Sequence, residues 1–179
     1  MRIVAGKFRS RRITAPGNLP VRPTTDMAKE ALFNILNNSY YFDDIKVLDL
    51  FAGIGSISFE FASRGTTDIT AIDEHYGCVN FLEKTNSELE AGLQIIKSDV
   101  FSYLSRSAQS YDVIFADPPY DMEIEKFNQL LALVFDRKLL KAEGTLIVEH
   151  GKQTDLSVHP KFERSRKYGS NVFSFFTIE

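Results

Sequence analysis

Among its 179 residues the chain has one cysteine, three scattered histidines and no acidic residue in its first 25 positions. A lone Cys78 excludes an internal disulfide, and no partner stands at zinc-ligand spacing. Cys78 therefore reads as a small residue on a helix. His75, His150 and His159 show no ligand spacing either. They read as surface or turn residues, and no metal is expected. No apolar run approaches the roughly 18 residues of a membrane span, so no membrane partner is expected. The start, Met1 to Lys7, lacks the apolar stretch of a signal peptide, and a cytoplasmic location is the expectation.

What is present is ordinary for a soluble domain: 44% hydrophobic and 25% charged residues. The length suits one core. The net charge of −3 conceals an asymmetry. Residues 1–25 hold Arg2, Lys7, Arg9, Arg11, Arg12 and Arg22, hence +6, which leaves −9 on residues 26–179. A basic arm on an acidic body points to a polyanion met by the arm. Ile3, Val4, Phe8 and Ile13 interleave with the cations, a pattern that predicts a β-hairpin showing its charge on one face. Lys161, Arg164, Arg166 and Lys167 form a second, weaker basic cluster.

After the arm, Thr24, Thr25 and Asp26 offer helix N-caps ahead of an apolar stripe at Met27, Ala31, Leu32, Ile35 and Leu36. Strands then alternate with helices. Strands are predicted over 46–51, 68–72, 93–97, 111–116 and 144–149, with helices over 56–63, 76–89, 101–105 and 125–135. Two final strands, 162–167 and 172–178, are joined by a turn at Tyr168-Gly169-Ser170-Asn171. Such an α/β order implies a mainly parallel sheet with helices on both faces and an antiparallel pair at the end. Ligands belong beyond the carboxyl ends of the strands, where strand order reverses.

Acids stand at four of those ends. Asp49 opens Asp49-Leu50-Phe51-Ala52-Gly53-Ile54-Gly55, whose glycines allow close backbone approach. A carboxylate there repels a pyrophosphate and suits an ammonium, and the third glycine of a dinucleotide loop is missing. Asp73 is placed to accept from ribose hydroxyls. Asp99 can accept from an adenine amine and reads equally well as a helix cap. Ammonium, ribose and adenine amine together describe S-adenosylmethionine better than a nicotinamide cofactor. The fourth acid begins Asp117-Pro118-Pro119-Tyr120. Two prolines make this a stiff, extended turn. It presents a carboxylate, carbonyls and a flat ring to a planar base with an exocyclic amine.

These segments resemble the class I S-adenosylmethionine-dependent methyltransferases that modify exocyclic amines. Arg2-Ile3-Val4-Ala5-Gly6-Lys7-Phe8, Arg22-Pro23-Thr24-Thr25-Asp26, Glu30, Phe33-Asn34, Ser63-Arg64-Gly65 and Tyr168-Gly169 narrow the resemblance to the RsmD family of bacterial 16S rRNA guanine-N2 methyltransferases. It runs nearly end to end, with departures at Phe8 (tryptophan usual), Ser10 (glycine usual) and Asp73 (glutamate common). The resemblance implies a Rossmann-like seven-stranded domain over 26–179 behind an RNA-contacting arm over 1–25. It implies that Asp49, Phe51, Gly53, Gly55, Asp73, Asp99, Val100 and Thr24 bind S-adenosylmethionine. Asp117, Pro118 and Tyr120 would hold the target base. Lys7, Arg9, Arg11, Arg12 and Arg22 would contact RNA. Phe101 would pack on the adenine ring or in the core. The implied substrate is 16S rRNA in a partly assembled 30S subunit, with the enzyme a monomer. Two other readings stay open: a DNA adenine-N6 or cytosine-N4 methyltransferase, and a non-catalytic RNA-binding protein of the same fold.

Overall fold

The computed structural model describes residues 1–178. Helix α1 (Asp26–Asn37) begins where the Thr25 side chain accepts the Ala28 N–H. A 3-10 turn (Phe42–Asp44) leads into β1 (Lys46–Leu50). Then follow α2 (Ser56–Ser63), β2 (Asp68–Asp73), α3 (Tyr76–Leu89), β3 (Gln94–Lys97), α4 (Val100–Arg106), β4 (Tyr111–Ala116) and α5 (Ile124–Asp136). Three strands close the chain: β5 (Leu140–Gly151), β6 (Phe162–Tyr168) and β7 (Asn171–Thr177).

One seven-stranded sheet has the order β3-β2-β1-β4-β5-β7-β6. Strands β1 to β5 pair in parallel, and β7 runs antiparallel to both β5 and β6. The order reverses between β1 and β4, so a crevice opens beyond their carboxyl ends. Alternate strand residues feed two cores. Val47, Ala71, Val113, Phe115, Ile147 and Phe173 face α1, α2 and α3. Leu48, Leu50, Ile114, Ala116, Leu146 and Val148 face α4 and α5. Burial on both faces explains why these strands read as continuous apolar runs.

The fifth strand is longer than expected, starting at Leu140 rather than 144. Its first residues pair Leu140 with Tyr111, then the register shifts before Thr145 meets Val113. Exposed Ala142 and Glu143 and the glycine at 144 hide this stretch from a search for apolar runs.

The arm is not a laddered hairpin. A single antiparallel bridge joins Arg2 to Arg12. The ladder stops because the Glu60 carboxylate takes the Val4 and Ala5 N–H groups at 3.0 and 3.1 Å. Ser63 then accepts from Lys7 N–H through its carbonyl and from Phe8 N–H through its hydroxyl. Ser10, where the family pattern has glycine, holds φ 69°. Ile3 and Ile13 are buried in the core, while Lys7, Arg9, Arg11 and Arg12 are exposed. Beneath the arm, Lys29 and Glu60 form an ion pair at 3.3 Å with both side chains fully buried.

Candidate active site

The crevice holds a cavity of about 1030 Å³. Its floor is the turn from β1 into α2. Phe51 and Gly53 both take left-handed backbone, at φ 58° each. A side chain on Gly53 would press on Val21 at 3.3 Å, so the loop and the strap before α1 fit closely. Gly55, the N-cap of α2, has φ 85°, and a Cβ there would strike Phe59 and Leu82. Asp49 lies under this loop at 2% exposure, accepting the Ser58 hydroxyl at 2.6 Å. Burial pushes its carboxyl up to about 7, against the pull of the two Ser58 hydrogen bonds. Asp73, at the end of β2, accepts the Gly53 N–H at 2.8 Å and the His75 N–H at 2.9 Å. It thereby ties the glycine loop to the start of α3.

The opposite wall is the turn after β4. Asp117 N–H donates to the Leu50 carbonyl, which fixes this turn against the end of β1. Pro118 is buried; Pro119 and Tyr120 are exposed, with Tyr120 at 71%. The Pro119 carbonyl accepts the Met122 N–H. Burial raises the Asp117 carboxyl well above the usual range, and the nearby Glu149 and Asp49 carboxylates add to it.

The strap Leu19 to Thr24 forms the roof. Thr24 is buried, and its hydroxyl donates to Glu149 at 2.8 Å. Arg22 is exposed and borders the same cavity. Asp49, Phe51, Gly53, Asp73, Val100, Thr24, Arg22, Asp117, Pro118 and Tyr120 thus meet around one space. Gly55 sits behind it as the α2 cap. Asp99 is exposed, caps α4 by accepting the Ser102 N–H at 2.9 Å, and does not border the cavity. Phe101 meets Phe51 edge-on at 6.5 Å between centroids. Lys7 and Arg9 lie away from this space, while Arg11 and Arg12 line a smaller recess of about 150 Å³ against α3.

Glu149 and His150 are among the bordering residues that the sequence reading missed as site residues. Glu149, at 3% exposure near the end of β5, accepts from Thr24 and from the Asn171 amide at 2.7 Å. Burial raises its carboxyl, opposed by those two hydrogen bonds and by Arg22. The signal was available: Glu149 stands at a strand's carboxyl end like the other acids. His150 is the second, and its surface reading is corrected. It is buried, because strand alternation turns it toward α5, with its ring nitrogens paired to Ser174 and to the Gly151 carbonyl. Burial lowers its pKa.

Five carboxylates (Asp49, Asp73, Glu74, Asp117 and Glu149) border the space, against one guanidinium. That acid-rich lining fits a ligand that carries positive charge and offers N–H and O–H groups. It repels phosphates. The residues present therefore fit S-adenosylmethionine, with Asp49 for an ammonium and Asp73 for a ribose diol.

Strand order, crevice and lining define the class I methyltransferase fold. The chain belongs to the family described as conserved hypothetical protein 95, which residues 1–177 match. Ribosomal RNA small subunit methyltransferase D of Escherichia coli K12 is 30% identical over 161 residues, covering 89% of this chain and 79% of that protein. A hypothetical protein of Thermus thermophilus superposes with a TM-score of 0.86 at 27% identity, over 99% of both chains. The 16S rRNA N2 G1207 methyltransferase RsmC of the same organism, solved with AdoMet and guanosine, shares the fold at a TM-score of 0.72 and 18% identity. The match covers 90% of this chain and 45% of that one.

Proposed function

We propose that this protein transfers a methyl group from S-adenosylmethionine to the N2 amine of one guanine in 16S rRNA. The observation that carries the reading is the meeting of Asp117, Pro118 and Tyr120 with Asp49 and the glycine loop around one cavity. The named relatives support rRNA as the target. S-adenosylmethionine supplies a methyl carbon made electrophilic by a sulfonium.

The chain's own residues do the rest. Guanine N2 is nearly planar, its lone pair spread into the ring, and so a poor nucleophile. Hydrogen bonds to the Asp117 carboxylate and the Pro118 carbonyl favour a pyramidal nitrogen. Tyr120, exposed at the rim, replaces the stacking that a flipped base gives up. With the donor bound, forming the new N–C bond would return the old bonding pair to the donor's sulfur and oblige N2 to shed a proton. The raised pKa of Asp117 equips it to take that proton. Holding both reactants in line supplies much of the acceleration. Lys7, Arg9, Arg11, Arg12 and Arg22 hold RNA phosphates, and recognition rests on a preformed shape in the assembling 30S particle. Val100, which borders the cavity next to Asp99, meets the adenine edge with its backbone.

Labelled methyl donor offered to 16S RNA, 30S particles and genomic DNA tests the target. Mass spectrometry of rRNA from cells lacking the gene then maps one guanine that loses a methyl. Asp117→Ala is expected to lower transfer at least about a hundredfold while calorimetric cofactor affinity stays near that of the unaltered protein. Near-normal turnover in that variant, or label in DNA alone, sinks the proposal.

A further inference from the structure

Strand register sets a second carboxylate beside Asp117. Ala116 of β4 pairs with Val148 of β5, so the next residues, Asp117 and Glu149, lie side by side on the α1 face. Both border the cavity. Glu149 is held from two directions, by the Thr24 hydroxyl at 2.8 Å on one oxygen and the Asn171 amide at 2.7 Å on the other. Those donors come from residues 125 and 22 positions away, so the carboxylate is fixed by the tertiary fold. Each oxygen keeps a second acceptor site. Neither carboxylate has a Lys or Arg within salt-bridge distance among the described residues.

Two adjacent acceptors call for two adjacent donors. Guanine has them: the N2 amine and the N1–H stand next to each other on its Watson–Crick edge. Adenine and cytosine place a ring nitrogen lone pair beside their amine, which would face a carboxylate and be repelled. We infer that Glu149 accepts the N1–H of the target guanine while Asp117 accepts from N2, making Glu149 the residue that selects guanine. Burial of the neighbouring pair raises both carboxyls in the free protein, and a base bringing two N–H donors relieves that cost. The two donors already aimed at Glu149 favour its anionic, accepting form. This inference rests on the reading of the site as a guanine-N2 methyltransferase and names its discriminator.

The test compares RNA carrying guanine or 2-aminopurine at the mapped position, free or assembled, whichever the unaltered protein accepts. 2-Aminopurine keeps the N2 amine and turns N1 from donor to acceptor. Methyl transfer is measured, and so is equilibrium binding with S-adenosylhomocysteine present. The unaltered protein is expected to prefer guanine by about tenfold or more. In Glu149→Gln the new amide can donate to N1, and the preference is expected to shrink at least about fivefold or invert. If the variant turns over neither RNA, the binding ratio decides. An unchanged guanine preference overturns the inference, whether or not overall rate falls, since it would leave Glu149 only a brace for Thr24 and Asn171. Absence of any guanine methylation by the unaltered protein instead overturns the proposed function itself.

Discussion

A carboxylate with 2% exposure needs compensation, and Asp49 has only Ser58. Its carboxyl titrates near 7 in the folded chain against 3.8 for an unperturbed aspartate. Below about pH 4 the group is protonated in both states and has no effect on stability. Between about pH 4 and 7 the folded state keeps a proton that the unfolded state has lost. Stability therefore falls as pH rises through that window, by about 4 kcal/mol in total, and then levels off. Asp117 and Glu149, both raised by burial, act in the same direction. Asp49→Asn is expected to flatten the curve of unfolding midpoint against pH, gaining most at pH 8, while S-adenosylmethionine affinity drops at least about tenfold. Thermal unfolding at several pH values and calorimetry check both halves. Parallel curves for the two proteins would show that Asp49 is not the source. The trade of stability against a charged ligand site is the expected cost of a preorganised pocket.

At the scale of elements, α1 and α2 are joined through a buried ion pair whose outer side grips the arm. Lys29 Nζ lies 3.3 Å from Glu60 and donates to the Arg2 carbonyl at 2.6 Å, while Glu60 takes the Val4 and Ala5 amides. Burial lowers the Lys29 pKa and Glu60 opposes that shift. Glu60→Ala leaves a buried lysine without its counter-charge and two amides without their acceptor. It is expected to cost about 3–5 kcal/mol in urea unfolding and to speed tryptic cutting after Lys7 and Arg9. Unaltered cutting would mean the arm is held elsewhere. None of this was legible beforehand, because Lys29 and Glu60 are 31 positions apart and each sits in an ordinary helical sequence. Local patterns fared better: α2 and α3 fall on the residues their apolar periodicity predicts. Asp49, Asp73 and Asp117 were legible because each follows a short apolar run directly. Glu149 carries the same strand-end signal, but its partners Thr24 and Asn171 were not legible, since only the closed sheet brings them to it.

The whole molecule is a charged dipole in the loose sense, with +6 on residues 1–25 and −9 on the rest. An acidic body repels RNA, so binding has to be made by cations held clear of it. On the proposed reading Arg9, Arg11 and Arg12 would meet that need: all three are exposed, and anchoring of the arm at Glu60 and Ser63 would lower the ordering cost of binding. Phosphate contacts release counterions, and each lost contact on single-stranded RNA makes the slope of log Kobs against log salt shallower by about 0.7. Replacing all three arginines with alanine is expected to flatten that slope by about 2 units between roughly 50 and 300 mM salt. Fluorescence anisotropy on a labelled 16S fragment measures it. The same variant should unfold within about 0.5 kcal/mol of the unaltered protein, since the substituted side chains are exposed. Cofactor affinity should also hold, because none of the three borders the central cavity. A slope that does not move would place the RNA path elsewhere, with the basic residues of β6 as the next surface to mutate.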